Sequence, residues 1–303
     1  MRENYVQQVK LLLDILPVVM KDRRLALKGG TAINFFYRNA PRLSVDIDLC
    51  YLPIEERKIS FQNIHEILKE MKLTLEKRDL TVRSSHPLDA QGEVRLLVKN
   101  SKAEIKVEPN FTLRGSVFDP EIKATSTYIM DTFHKREEVK CLSFADVFGG
   151  KIHAALSRQH PRDLFDIKHL LENEGITEEI RKAFLVYLIS SPRPIHEIIV
   201  PNLKDIPEEA IQAFQAMANT KITLKDLKSA RELLIKKIKE TLTIEEKHFL
   251  VGFKKLVPDW SLLGLEKNVE TLPGVQWKIL NLKKMSSRKR GLQRKLLEEK
   301  LFQ

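Results

Sequence analysis

Asp46 and Asp48 stand two residues apart, and Asp46 lies fifteen residues beyond a Gly29-Gly30-Thr31 turn. Leu43 to Leu49 alternates apolar and polar residues, which predicts a half-buried strand with both carboxylates on one face. Adjacent carboxylates repel each other unless a cation lies between them, and hard oxygen ligands on a rigid strand suit Mg²⁺ bound with a substrate phosphate. The glycines fall between a predicted buried strand, Leu25 to Leu27, and a predicted helix, Thr31 to Tyr37. There they allow the backbone close to a ligand, and the N–H groups opening the helix favour anionic oxygens. Thr31 adds a hydroxyl at the same point and can cap the helix. Each feature alone has a plain explanation as a strand-to-helix turn or a solvated strand face. Together they set a phosphate cradle and a cation site one helix apart.

Two metal ions straddling an in-line displacement need a third carboxylate. Ala103-Glu104-Ile105-Lys106-Val107-Glu108 alternates strictly, so Glu104, Lys106 and Glu108 share the face opposite Ile105 and Val107. Glu108, at the strand end before Pro109 and Asn110, is the favoured partner of the aspartates, with Glu104 the alternative.

These residues must be carried by a framework. Tyr5 to Met20 predicts a helix ending at Pro17 or shortly after, and Phe61 to Met71 predicts another. Strands are predicted around Leu80–Ser84, Glu93–Lys99 and Lys102–Glu108, with Asn100-Ser101 a tight connection. The result is a mixed-sheet α/β domain over residues 1–140. Beyond Cys141 only helices are predicted: 144–157, 162–173, 177–189, 207–218, 224–241 and 244–256. They define an all-α domain over 141–272, followed by a basic helix or tail over 273–303.

The 303 residues include 52 Lys and Arg against 41 Asp and Glu, a net charge of +11. An apolar content of 43% beside 31% charged residues excludes wholesale disorder. Leu11 to Met20 is interrupted by Asp14 and Pro17, which predicts neither a membrane span nor a signal peptide and a cytoplasmic protein. Cys50 and Cys141 alone make neither a disulfide framework nor a zinc site. From Lys278 to Lys300 nine Lys or Arg face two Glu, a local +7 that suits a polyanionic partner.

Leu27-Lys28-Gly29-Gly30-Thr31-Ala32 through Arg42-Leu43-Ser44-Val45-Asp46-Ile47-Asp48-Leu49 resembles the nucleotidyltransferase toxins of the AbiEii/AbiGii group. Gly150-Lys151-Ile152-His153-Ala154-Ala155 through Arg158 is similar to that family's Lys-x-x-Ala helix. Arg162-Asp163-Leu164-Phe165-Asp166-Ile167 is similar to its Arg-Asp-Leu-Tyr-Asp-Leu motif. Ile105 to Asn110 is similar to its third-acid strand, with Pro109 where an aliphatic residue is commoner. The resemblance runs from Leu27 to about Ile167. It implies a DNA polymerase β-like α/β (α+β) nucleotidyltransferase domain, followed by a helical domain that completes the active-site cleft.

The resemblance further implies that Gly29, Gly30, Thr31, Arg42 and Ser44 bind an NTP, while Asp46, Asp48 and Glu108 hold Mg²⁺, two ions in all. Lys151 would neutralise phosphate charge, and Asp163 and Asp166 would complete the site. It implies transfer of a nucleotide to an RNA 3′ hydroxyl, the tRNA acceptor end, and a cognate antitoxin among the partners; a monomer is the default expectation. A small-molecule or protein acceptor, and a non-catalytic nucleotide- or RNA-binding module, are the rival readings; a glycosyltransferase leaves Gly29-Gly30-Thr31 unexplained. Asp163, nearest its helix start, also suits the helix dipole, Arg162 can pair with either acid, and His153 and His160 read as packing or surface residues.

Overall fold

Period-2 segments in the first half of the chain join into one seven-stranded sheet. The strands are β1 (Leu25–Lys28), β2 (Asp46–Tyr51), β3 (Thr81–Ser84), β4 (Leu96–Lys99), β5 (Glu104–Asn110), β6 (Glu121–Ala124) and β7 (Glu138–Cys141). The computed structural model describes residues 2–88 and 92–302. The sheet order is β3-β4-β5-β2-β1-β7-β6. The β2–β5 and β1–β7 pairs are parallel and the others antiparallel, so the sheet is mixed as expected. Ile47, Leu49, Ile105 and Val107 are fully buried from the two central strands. Their alternation leaves the aspartates and Glu108 on the other, partly exposed side.

Helices α1 (Arg2–Val19) and α3 (Arg57–Glu76) accompany this sheet. Leu12, Leu13, Leu16 and Val19 of α1 are fully buried. Pro17 falls in the last turn, where its missing N–H removes one bond, and the helix continues two residues beyond it. Helix α2 (Gly29–Ala32) passes directly into a π-helical turn, Ile33–Tyr37. Strand β2 begins at Asp46 and not at Leu43, for a nonlocal reason. The Leu43 N–H bonds the Met217 carbonyl at 2.8 Å, and Arg42 bridges Ala218. Those partners belong to residues Gln212–Lys221, which cluster with Met1–Ser143 as one unit; Phe144–Ile211 and Ile222–Gln303 form the second. Strands β6 and β7, and helix α4 (Thr127–Phe133) between them, answer to no sequence expectation. All are short, and β6 is largely exposed.

The helices of the second half are α5 (Phe144–Arg158), α6 (Pro161–Asn173), α7 (Glu178–Ile189), α8 (Ile195–Ile199), α9 (Glu208–Gln215), α10 (Leu224–Thr241), α11 (Ile244–Lys255), α12 (Pro273–Lys284) and α13 (Ser287–Phe302). Their starts follow local chemistry. Thr177, Thr223 and Thr243 cap α7, α10 and α11, the last two with reciprocal capping boxes. Helices α5 and α7 approach so closely that a Cβ on Gly149 would lie 2.7 Å from that of Ala183. The basic end of the chain is two helices anchored by buried Leu282, Leu297 and Leu301. Among the described residues no helix is long and apolar enough to cross a membrane. Cys50 and Cys141 are buried free thiols.

Candidate active site

Parallel pairing of β2 with β5 places Lys106 beside Asp46 and Glu108 beside Asp48. Glu104 instead pairs with Lys99 on β4, ahead of the stretch that meets β2. Register therefore brings Glu108, the favoured glutamate, to the aspartates and leaves Glu104 away from them. The Lys106 ammonium lies 2.8 Å from Glu108 Oε2 and 3.8 Å from Asp46 Oδ1. Arg95 reaches Glu108 Oε1 at 3.3 Å. Burial alone would push the Lys106 pKa down, but Glu108, Asp46 and Asp48 outweigh it and raise the pKa. Among the described residues no three His, Cys, Asp or Glu side chains form a metal-holding group. Asp46 and Asp48 nevertheless present hard oxygen donors from one partly exposed strand face, a donor set that fits Mg²⁺.

Gly29 meets this pair directly. Its φ is +71°, and a Cβ there would lie 2.2 Å from Asp48 Oδ2. A Cβ on Gly30 would lie 2.7 Å from an Arg42 NH2 and 3.0 Å from Ser44 Oγ. The space the glycines leave is thus taken by the chain's own polar side chains, and Gly29, Gly30, Arg42, Ser44 and Asp48 come together. Arg42 is buried, and its NH1 donates to the Leu43 carbonyl at 2.9 Å. Thr31 is fully buried, with its hydroxyl 2.5 Å from the Asp46 carbonyl and 3.0 Å from Ser44 Oγ. It ties α2 to the start of β2, while the N-cap position itself is Lys28, without a side-chain cap bond.

A second cluster lies wholly within the second unit. Lys151 Nζ is 3.1 Å from Asp163 Oδ1 and 3.0 Å from Asp166 Oδ2, and all three residues are buried. Arg158 donates to both Asp163 oxygens, from Nε at 3.1 Å and NH2 at 3.0 Å. Burial would push the Asp163 pKa up, yet Lys151 and Arg158 prevail and lower it. The four side chains sum to zero charge, which is what allows two carboxylates below the surface. His160 caps α6, its Nδ1 accepting from the Arg162 N–H at 3.2 Å.

Sequence reasoning assigned no role to Lys106, Arg95 or Arg158. The signal for Lys106 was present, since its period places it among the glutamates. Arg95 and Arg158 needed register and helix packing.

The chain matches the family model described as nucleotidyl transferase AbiEii toxin, type IV toxin–antitoxin system, over residues 10–278. Its structure is similar to that of MenT4, a nucleotidyltransferase toxin from Mycobacterium tuberculosis H37Rv, with a TM-score of 0.61 and 15% sequence identity. That likeness covers 92% of this chain and 93% of the other, and at this identity it speaks for the fold. No curated protein matches the chain significantly.

Proposed function

The chain belongs to the AbiEii nucleotidyltransferase toxin family of type IV toxin–antitoxin systems, and from that premise we propose a Mg²⁺-dependent transfer of NMP from an NTP to an RNA 3′ hydroxyl. The proposed acceptor is the end of tRNA, and the consequence is a block of translation. Family membership implies a nucleotide substrate and a cognate antitoxin. The observation that carries the chemistry is the convergence of Gly29 on the Asp48 carboxylate, with Glu108 in register beside it.

In this reading Asp46 and Asp48 hold Mg²⁺, one or two ions, with Glu108 the third ligand where a second ion is bound. Bound there, the metal polarises the α-phosphate and neutralises charge on the pyrophosphate leaving group. Gly30, Arg42 and Ser44 orient the phosphates, and buried Thr31 holds Ser44 and the Asp46 backbone in place. Arg95, just ahead of β4, keeps Glu108 aimed. Lys151, the lysine that the family resemblance assigns to phosphate charge, has its ammonium fixed by Asp163 and Asp166. Little covalent participation is asked of the protein, so positioning and charge dominate catalysis.

RNA is favoured as acceptor by charge. Residues 271–297 contain eight Lys or Arg and no Asp or Glu. Lys278 and Arg290 are spent on backbone carbonyls, and Arg294 pairs with Glu298. Lys283, Lys284, Arg288, Lys289 and Lys295 remain exposed. The test incubates full-length protein with Mg²⁺, each α-labelled NTP in turn, total tRNA, a protein extract and small hydroxylated metabolites. Label in full-length tRNA is expected. Label confined to protein or to small molecules would refute the RNA acceptor and keep the transferase.

A further inference from the structure

The first unit contains an open cleft of about 480 Å³ whose lining includes Asp48, Glu108, His86 and Arg95. Lys28, just before the Gly-Gly turn, and Glu93 also line it, whereas Gly30, Arg42 and Ser44 do not. Asp48 both abuts Gly29 with its carboxylate and lines the cleft. In-line displacement at phosphorus puts the entering oxygen opposite the leaving group. With the pyrophosphate end of an NTP on the Gly-Gly turn, the entering hydroxyl arrives from the cleft side.

We infer that this cleft is the acceptor pocket and that it receives one unpaired 3′-terminal nucleoside of a single-stranded RNA end. The inference rests on the RNA reading given above. The volume is that of a site for one nucleoside. Proteins hold unstacked RNA bases against imidazole or guanidinium planes and hold the linking phosphate with cations. Both groups are present at this rim. His86 is exposed, with its Nδ1 3.3 Å from Ser85 Oγ, and that oxygen accepts the Arg95 backbone N–H at 3.2 Å. One serine thus ties together the imidazole and the arginine from the two ends of the β3–β4 connection. The Arg95 guanidinium is half exposed beside Glu108, where it meets the phosphodiester preceding the terminal ribose. In the reaction the ribose 3′ oxygen bonds to the α-phosphorus and the α–β bridging P–O bond breaks. Pyrophosphate leaves with that electron pair, and the hydroxyl proton passes to a Glu108 oxygen.

Two measurements on the full chain test this. Steady-state transfer is measured for wild type, His86→Ala, His86→Phe and Arg95→Ala. Irradiation of tRNA carrying a 3′-terminal 4-thiouridine then maps the contact peptide. His86→Ala should raise the acceptor KM about tenfold, the loss of one stacked base, with the NTP KM within about twofold. Phe should restore the acceptor KM, which a purely structural role for His86 would not produce. Arg95→Ala should lower kcat as well, because it also releases Glu108. The crosslink should fall in residues 80–95. A crosslink elsewhere, with an unchanged acceptor KM in His86→Ala, overturns the pocket while leaving RNA transfer intact. Label entering only protein or small molecules, with no tRNA crosslink, overturns the RNA reading and the nucleoside assignment together.

Discussion

Gly29→Ala is the sharpest single perturbation available, because the added methyl would sit 2.2 Å from Asp48 Oδ2, where ordinary contact begins at 3.4 Å. The main chain cannot yield freely, since Gly29 joins β1 to α2 and Asp48 is paired on both sides in the sheet. The carboxylate must therefore move by about 1 Å, a displacement that costs roughly a hundredfold in a positioned reaction. Alanine at a φ of +71° adds a stability loss of about 1–2 kcal/mol. A marginally stable protein survives that loss largely folded. The variant should thus melt at somewhat lower urea and show kcat about two orders below wild type. Nucleotidyl transfer at saturating NTP, run beside urea titrations on the same preparations, separates the two effects. Activity within threefold of wild type, or a loss no larger than the unfolded fraction, would refute the reasoning.

Other consequences follow from particular contacts. Lys106→Met should tighten Mn²⁺ binding about tenfold, because it removes a cation beside Asp46 and Glu108; calorimetry showing unchanged or weaker binding would exclude that pair as ligands. Lys151→Met removes the ammonium that buried Asp163 and Asp166 share while Arg158 still holds Asp163 and should cost about 3 kcal/mol, so its activity must be judged beside its melting curve; an unshifted melt would contradict the cluster. Burial and neighbouring cations push Lys254 and Lys278 down to about 8, against about 10.4 unfolded. Between those values the unfolded chain binds more protons, so their contribution makes stability rise with pH from about 8 to 10.4. The rise in urea midpoint should shrink in Lys254→Met, and an identical pH profile would refute the assignment. If the five exposed cations of α12 and α13 contact RNA phosphates, reversing Lys283 and Lys284 should lower the salt slope by about 0.7 per residue for single-stranded RNA; an unchanged slope removes them from the interface.

What could be read from the chain divides along a physical line. The Asp46–Asp48 face, the Asn100-Ser101 connection and most helices are local, and their periods and turn residues stand in the sequence. The choice of Glu108 over Glu104 was only a preference, because it depends on which residue of β5 meets Asp48 across strands far apart in sequence. The role of the glycines was half legible. Their spacing marked a close approach, but only the structure shows that Asp48, Arg42 and Ser44 fill the space. Arg158, four positions before Arg162, takes Asp163 because α5 and α6 set it there. Lys278 reads as part of a solvated basic tail yet is buried against the Ser191 and Arg193 carbonyls. Residues 207–218 read as helix in the second domain; Glu208–Gln215 is helical, but Met217 and Ala218 instead pair with the backbone of Leu43 and Arg42. Pairings across about 175 residues leave no local pattern.

Asp46 and Asp48, set against the Gly29 turn, are proposed to carry nucleotidyl transfer. The most direct test of that role compares α-labelled and γ-labelled NTP in a single turnover with wild type and with Asp46→Ala, both verified as folded. α-Label should enter the acceptor, γ-label should leave in pyrophosphate, and neither event should occur in the variant. Movement of γ-label to the acceptor, or undiminished transfer by folded Asp46→Ala, would contradict that role.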